Sequence, residues 1–139
     1  MNLRKKFELF TDYWSPKVVG EINDYQVKLA KIEGEFVWHQ HDHTDEFFLV
    51  VEGSMRIEYE GHHVSLEEGE IHIVPKGVRH RTVADEECWI VIIEPRDVVN
   101  TGDVDSDLTA ENDVWIGLLG EAVTHFCEAG SNFIHSFLD

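Results

Sequence analysis

Between about residues 17 and 94 the chain reads as a series of short strands cut at close intervals by turn residues, a spacing that suits a β-sandwich or a β-barrel. Residues 17–22 and 25–32 are strand-like and are separated by Asn23 and Asp24. Gly34 is expected to open a further strand through Phe36, Val37 and Trp38. Residues 46–51 form a nearly continuous apolar run, the pattern of a strand covered on both faces. Gly53 permits a turn into Met55, Ile57 and Tyr59, which alternate with Arg56, Glu58 and Glu60. Gly61 permits the next turn, after which Val64 and Leu66 continue the alternation. Ile71 and Ile73 follow Gly69, Pro75 stops their strand, and residues 88–93 form a late one.

Residues 95–113 are polar and irregular, and beyond them the period changes. Ile116, Leu119, Val123 and Phe126 recur at three- and four-residue steps behind Asp113, a possible N-cap. The stretch 113–139 is therefore expected to be a helical extension packed on the barrel or on a partner subunit. With 139 residues the chain has the length of one domain.

The formal net charge of −17 leaves no basic stripe to displace counterions from phosphates, which excludes nucleic acid as a partner. The same repulsion excludes anionic membrane surfaces. No apolar run approaches 18 residues, so no membrane-spanning helix is expected. The charged start, Met1-Asn2-Leu3-Arg4-Lys5-Lys6, lacks the apolar stretch of a signal peptide, and a cytoplasmic location is the expectation. Cys88 and Cys127 have no metal-type spacing, and Cys88 within an apolar strand reads as a buried small hydrophobe.

The chemistry is concentrated in histidine. Residues two apart on a strand face the same way, so His39 and His41 can point together into a barrel. Glu46 begins the next strand and can face them across the bend. His80 follows Pro75 and Gly77, whose ring and conformational freedom turn the chain back inward. Three imidazoles and a carboxylate suit a divalent transition metal such as zinc, iron, manganese, nickel or copper.

The segments that carry these residues resemble the two motifs of the cupin superfamily. Residues 34–53 resemble the first, H-x-H, four residues, Glu46, six residues and Gly53. Residues 69–84 resemble the second, Gly69, five residues, Pro75-x-Gly77, two residues and His80, with Ala84 where the motif often carries Asn. Over about residues 7–116, including Trp14-Ser15-Pro16-Lys17 and Asn100-Thr101-Gly102, the chain is similar to small single-domain microbial cupins loosely described as mannose-6-phosphate isomerase-like. The resemblance implies an all-β double-stranded β-helix, a jelly-roll barrel, over residues 1–112; the chain from about Gly117 onward exceeds what the group carries, and the helical segment expected at 113–139 rests on periodicity alone. The resemblance also implies metal ligation by His39, His41, Glu46 and His80.

Other residues carry weaker signals. His43 is expected to face solvent, because its path to Glu46 is too short, and His62 and His63 lie at an exposed turn. His72 faces away from Ile71 and Ile73, with the wet side left open. Asp45 is either a partner that orients a ligand or a surface carboxylate. Met55, Ile57 and Tyr59 read as barrel lining, and of these Tyr59 alone has a proton to offer. His125 and His135 are expected at the surface. The expected function is a metal-dependent enzyme, oxygenase or isomerase, acting on a small polar or anionic molecule; the alternative is a noncatalytic metal or small-ligand binding module. Residues 47–51, apolar on both faces, predict a homodimer.

Overall fold

The structure is a computed structural model that describes residues 1–117 and the backbone of residues 122–124. A short helix, α1 (Leu3–Phe7), precedes nine strands. These are β1 (Lys17–Ile22), β2 (Tyr25–Glu35), β3 (Glu46–Glu52), β4 (Met55–Tyr59), β5 (His62–Leu66), β6 (Ile71–Val74), β7 (His80–Pro95), β8 (Val114–Ile116) and β9 (Ala122–Thr124). No helix among the described residues is long and apolar enough to cross a membrane.

The spine of the barrel is the antiparallel pair β2 and β7, in register from Tyr25↔Pro95 to Glu35↔Val83. The other edge of β7 is shared. Its first part pairs with β4, through Tyr59↔His80, and its second part with β3, through Phe47↔Ile93. One long strand thus passes from one face of the jelly roll to the other. Hairpin partners complete each face: β5 on β4, β6 on β3, and β1 on β2.

Alternation along the strands separates two cores. Ala30, Ile32, Phe48, Val50, Ile57, Cys88, Ile90 and Ile92 point into the barrel, so Cys88 is the buried hydrophobe expected of it. The opposite face of the spine presents Leu29 and Val91 to Phe7 and Phe10, with Val19 and Ile116 in the same cluster. Helix α1 is held over this face by the Asn2 cap, which accepts from the Lys5 amide, and by Arg4, which donates to Val51 O. This explains the doubly apolar run in β3. Phe48 and Val50 fill the barrel, while Leu49 and Val51 pack against the outer cluster.

Three expectations need correction. Gly34 does not open a strand. It lies inside β2 with φ of 85°, at a register shift against β7, and residues 36–38 follow without regular pairing. The late strand begins at His80 rather than at Cys88, because four further pairs with β4 extend it. No helix starts at Asp113. Ile116 lies in β8, which joins β1 in parallel, and Val123 lies in β9, antiparallel to β8. The three- and four-residue spacing there spans two β-branched segments separated by Gly117 and Gly120, and sheet pairing overrides it. Leu119, Phe126, His125, Cys127 and His135 lie outside the described residues.

Candidate metal centre

His39, His41, Glu46 and His80 converge on one point inside the barrel, each offering a ligand atom within 4.8 Å of the others. All four are buried, His80 completely. Among the described residues this is the one such cluster of His, Cys, Asp and Glu.

The backbone creates the convergence. His39 and His80 form an isolated bridge, His39 N donating to His80 O at 2.9 Å and His80 N to His39 O at 2.8 Å. The tight turn of the second motif is fastened to the first motif as well. Gly77, at φ of 73°, donates its amide to His41 O at 2.8 Å. The Lys76 amide donates to Asp45 Oδ1 at 2.9 Å. Asp45 therefore stays exposed and bonds backbone, not a ligand side chain, so it positions the turn before His80.

The imidazoles are fixed by their second nitrogens. His39 Nδ1 lies 2.9 Å from Val37 O, and His80 Nδ1 lies 2.9 Å from Val78 O. A carbonyl oxygen only accepts, so each Nδ1 carries the proton and each Nε2 keeps a lone pair for the centre. Glu46 Oε1 sits 3.3 Å from His80 Nε2 and 3.3 Å from His41 Nε2. Buried His41 Nε2 has no hydrogen bond of normal geometry. A donor set of imidazole lone pairs and a carboxylate, all on buried residues, fits a borderline divalent cation.

Burial, then the neighbouring His80, lowers His39 to about 4. For His41 burial pulls the same way, but the close contact and charge of Glu46 outweigh it and raise the group. Burial alone would raise Glu46; the contacts with His41 and His80 reverse this and hold it ionised well below the carboxylate range.

A narrow cavity of about 30 Å³ opens beside the centre. His39 and Glu46 form one wall, and Trp14, Phe36, Phe48, Ile90 and Ile92 supply most of the rest. The stretches around Trp14 and Asn100 meet here, since Asn100 Nδ2 donates to Trp14 O at 3.2 Å. The segment after β7 also presses on the site. Gln40 N donates to Asp103 Oδ1, and Asp103 N donates back to Gln40 O. A Cβ on Gly102 would stand 2.1 Å from Gln40 O and 3.2 Å from His39 Cδ2.

Sequence reading missed two charged residues in the interior. Lys28 and Glu94 are both buried, with Nζ 2.8 Å from Oε1. The alternation Ile90, Ile92, Glu94 and Ala30, Lys28, Gln26 carried this signal, since both residues share the inward parity. Burial, then the charge of Glu46, pushes Glu94 up to about 8 although Lys28 opposes this.

The remaining histidines fall elsewhere. His43, His62 and His63 are exposed. His72 is half-buried and turned from Ile71 and Ile73, which are the exposed ones; its Nε2 lies 2.7 Å from Tyr59 OH. Tyr59 stacks on His62 and stands with its ring 6.4 Å from that of His80. Arg56 and Arg81 are both paired with Glu58.

The fold and the two stapled motifs define a class: the chain belongs to the cupin family. The Cupin domain profile matches residues 25–94. A cupin-2 domain containing protein from Shewanella frigidimarina NCIMB 400 is 53% identical, with 69% of this chain and 94% of that one covered at a TM-score of 0.69. A protein from Neisseria meningitidis is 32% identical, with 68% of this chain and 97% of that one covered at a TM-score of 0.64. The uncharacterised protein YdbB of Bacillus subtilis (strain 168) is 38% identical over 65 residues. That match spans 46% of this chain and 58% of the length of YdbB.

Proposed function

We propose that His39, His41, Glu46 and His80 bind one divalent transition metal (zinc, iron, manganese or nickel) and that the protein is a metal-dependent enzyme of oxygenase or isomerase type. The observation that carries this reading is the set of four buried ligand atoms within 4.8 Å of one another, with His39 and Glu46 of that set lining an apolar cavity. Three imidazoles and a carboxylate without a cation would be a costly interior. Neutral histidines and one carboxylate leave a bound divalent ion with net charge near +1, which favours a small polar or anionic substrate. The metal supplies a Lewis acid or an oxygen-activating centre. The chain's own part is to hold the tautomers of His39 and His80 and to exclude water with Trp14, Phe36, Phe48 and Ile92.

Elemental analysis of the purified protein, repeated on His80→Ala, tests the site. One metal per chain is expected, with loss in the variant; a metal-free wild type would refute it. Turnover in dioxygen-dependent or isomerisation screens of metal-loaded protein tests the enzyme. A second reading, a noncatalytic binding module, is favoured by Tyr59, whose hydroxyl is committed to His72 and which is absent from the cavity wall. Tight binding of a small molecule without turnover under any metal would select it.

A homodimer belongs to the same proposal. Ile71 and Ile73 are 55% and 51% exposed on β6, which among the described residues pairs only with β3, and Tyr25, 46% exposed, shares a surface recess with Phe47, Ile73 and Ile93. An edge strand with an uncharged outer face in a strongly acidic protein is best covered by another copy of itself.

A further inference from the structure

The cavity that His39 and Glu46 line also carries a buried carboxyl group outside the four ligands, Glu94, whose side chain meets that of Glu46. Glu94 is 1% exposed, and its Oε2 has no hydrogen bond of normal geometry among the described residues. Its other oxygen is taken by Lys28, 2.8 Å away and itself held by Val98 O at 3.4 Å. Glu94 is carried by β7 and Glu46 by β3, so continuation of the Phe48↔Ile92 register sets the two carboxyl groups opposite each other on the inward face. Both line the cavity, together with His39, Thr82 and Asn100.

We propose that the cavity is a two-point site for a small hydroxyl-bearing molecule, one oxygen of which is bound at the metal centre while its hydroxyl is held by Glu94 Oε2. The proposal rests on the metal reading above and names the substrate class for it. A hydroxyl is the group that fits in either ionisation state of Glu94, because it donates to a carboxylate and accepts from a carboxylic acid. An ammonium group would meet the cation's repulsion, and a purely apolar group would leave Oε2 desolvated without a partner. Lys28 holds Glu94 Oε1 and so fixes the carboxyl group on the cavity wall, leaving Oε2 as the open acceptor. The volume of about 30 Å³, room for roughly two waters, sets the size of the hydroxyl-bearing end at one or two carbons.

The test uses cobalt(II)-loaded protein, with d–d absorption as the readout of ligand binding, and two probes, glycolate and acetate. Chelation favours glycolate on any open metal, so the informative quantity is how the glycolate-to-acetate affinity ratio changes between proteins. Compared with wild type, the paired replacement Lys28→Met with Glu94→Leu should lower the ratio about tenfold, the loss of one charged hydrogen bond. Glu94→Gln, which still accepts and donates, should keep it within about threefold of wild type. An unchanged ratio in the paired variant overturns the proposal and assigns Glu94 a structural role beside Glu46. A crystal structure of cobalt-loaded wild type with glycolate decides independently of how the variants fold. The hydroxyl should lie within hydrogen-bond distance of Glu94 Oε2, and a hydroxyl directed elsewhere overturns the assignment. Wild type that gives no cobalt spectrum overturns the metal reading itself. A normal cobalt spectrum without the Glu94 effect overturns the subsite alone.

Discussion

His39 and His80 each give an Nδ1 proton to the carbonyl two residues upstream, so both rings are aimed before any cation arrives. Removing one aimed ligand should do more harm than removing a partner that orients a ligand. His80→Ala is expected to lower metal affinity by roughly 100-fold or more, measured by competition with a chromogenic chelator. Protons compete for the same lone pairs, and His41 competes first because Glu46 favours its charged form. Metal content after dialysis should therefore fall as pH drops below about 6.5, and retention unchanged at pH 4.5 would contradict the ligand set. Without metal, His39 is shifted in the direction opposite to His41. Its folded value near 4 lies below the unfolded value of 6.5, so the unfolded chain takes up the proton first as pH falls. The stabilisation is complete above about 6.5 and is lost as pH falls through about 4, of order 3 kcal/mol in total. Chelator-treated His39→Asn should show a flatter acid limb in urea melts than chelator-treated wild type; identical limbs would count against this.

At the scale of elements, the site is held by contacts between segments distant in sequence. The segment after β7 is clamped to the His39–His41 stretch by the reciprocal pair of Gln40 and Asp103, and Gly102 fills the approach where no side chain fits. Gly102→Ala places a Cβ against Gln40 O at a positive φ of 57°. It should cost about 2 kcal/mol or more and weaken metal binding together with thermal stability. An unchanged melting temperature would show that the clamp yields freely. Much of this level was legible. The alternation in β4 and β5 and the apolar run of β3 were read correctly because each follows from local pattern. Gly34 was misread because a positive φ serves a bulge within a strand as well as a turn between strands. Ile116 and Val123 were misread because a spacing of three and four arises by chance when two short strands lie a few residues apart.

Across the whole molecule, charge and apolar surface are segregated. The net charge of −17 is distributed over strands and turns, while Tyr25, Ile71 and Ile73 are large apolar side chains left exposed. Sedimentation equilibrium should give twice the chain mass of 16.1 kDa, and Ile73→Glu should give the monomer with its metal content intact. Wild type that sediments only as monomer would remove the dimer. Part of the original argument for that dimer has an internal answer, since Leu49 and Val51 pack toward Phe7 and Phe10 of the same chain.

By itself the sequence determined which residue types could meet and on which face of a strand each would lie, because side-chain direction in a strand alternates with a period of two. That was enough to select His39, His41, Glu46 and His80. Tertiary structure alone decided what stands beside them. Lys28, Glu94 and Gly102 lie 11, 48 and 56 residues from the nearest of His39 or Glu46 in the chain; strand pairing sets Glu94 on the cavity wall with Lys28 bonded to it, and the segment after β7 brings Gly102 against His39 and Gln40. Local pattern fixes direction; distance between strands is set by register, which a single chain does not print.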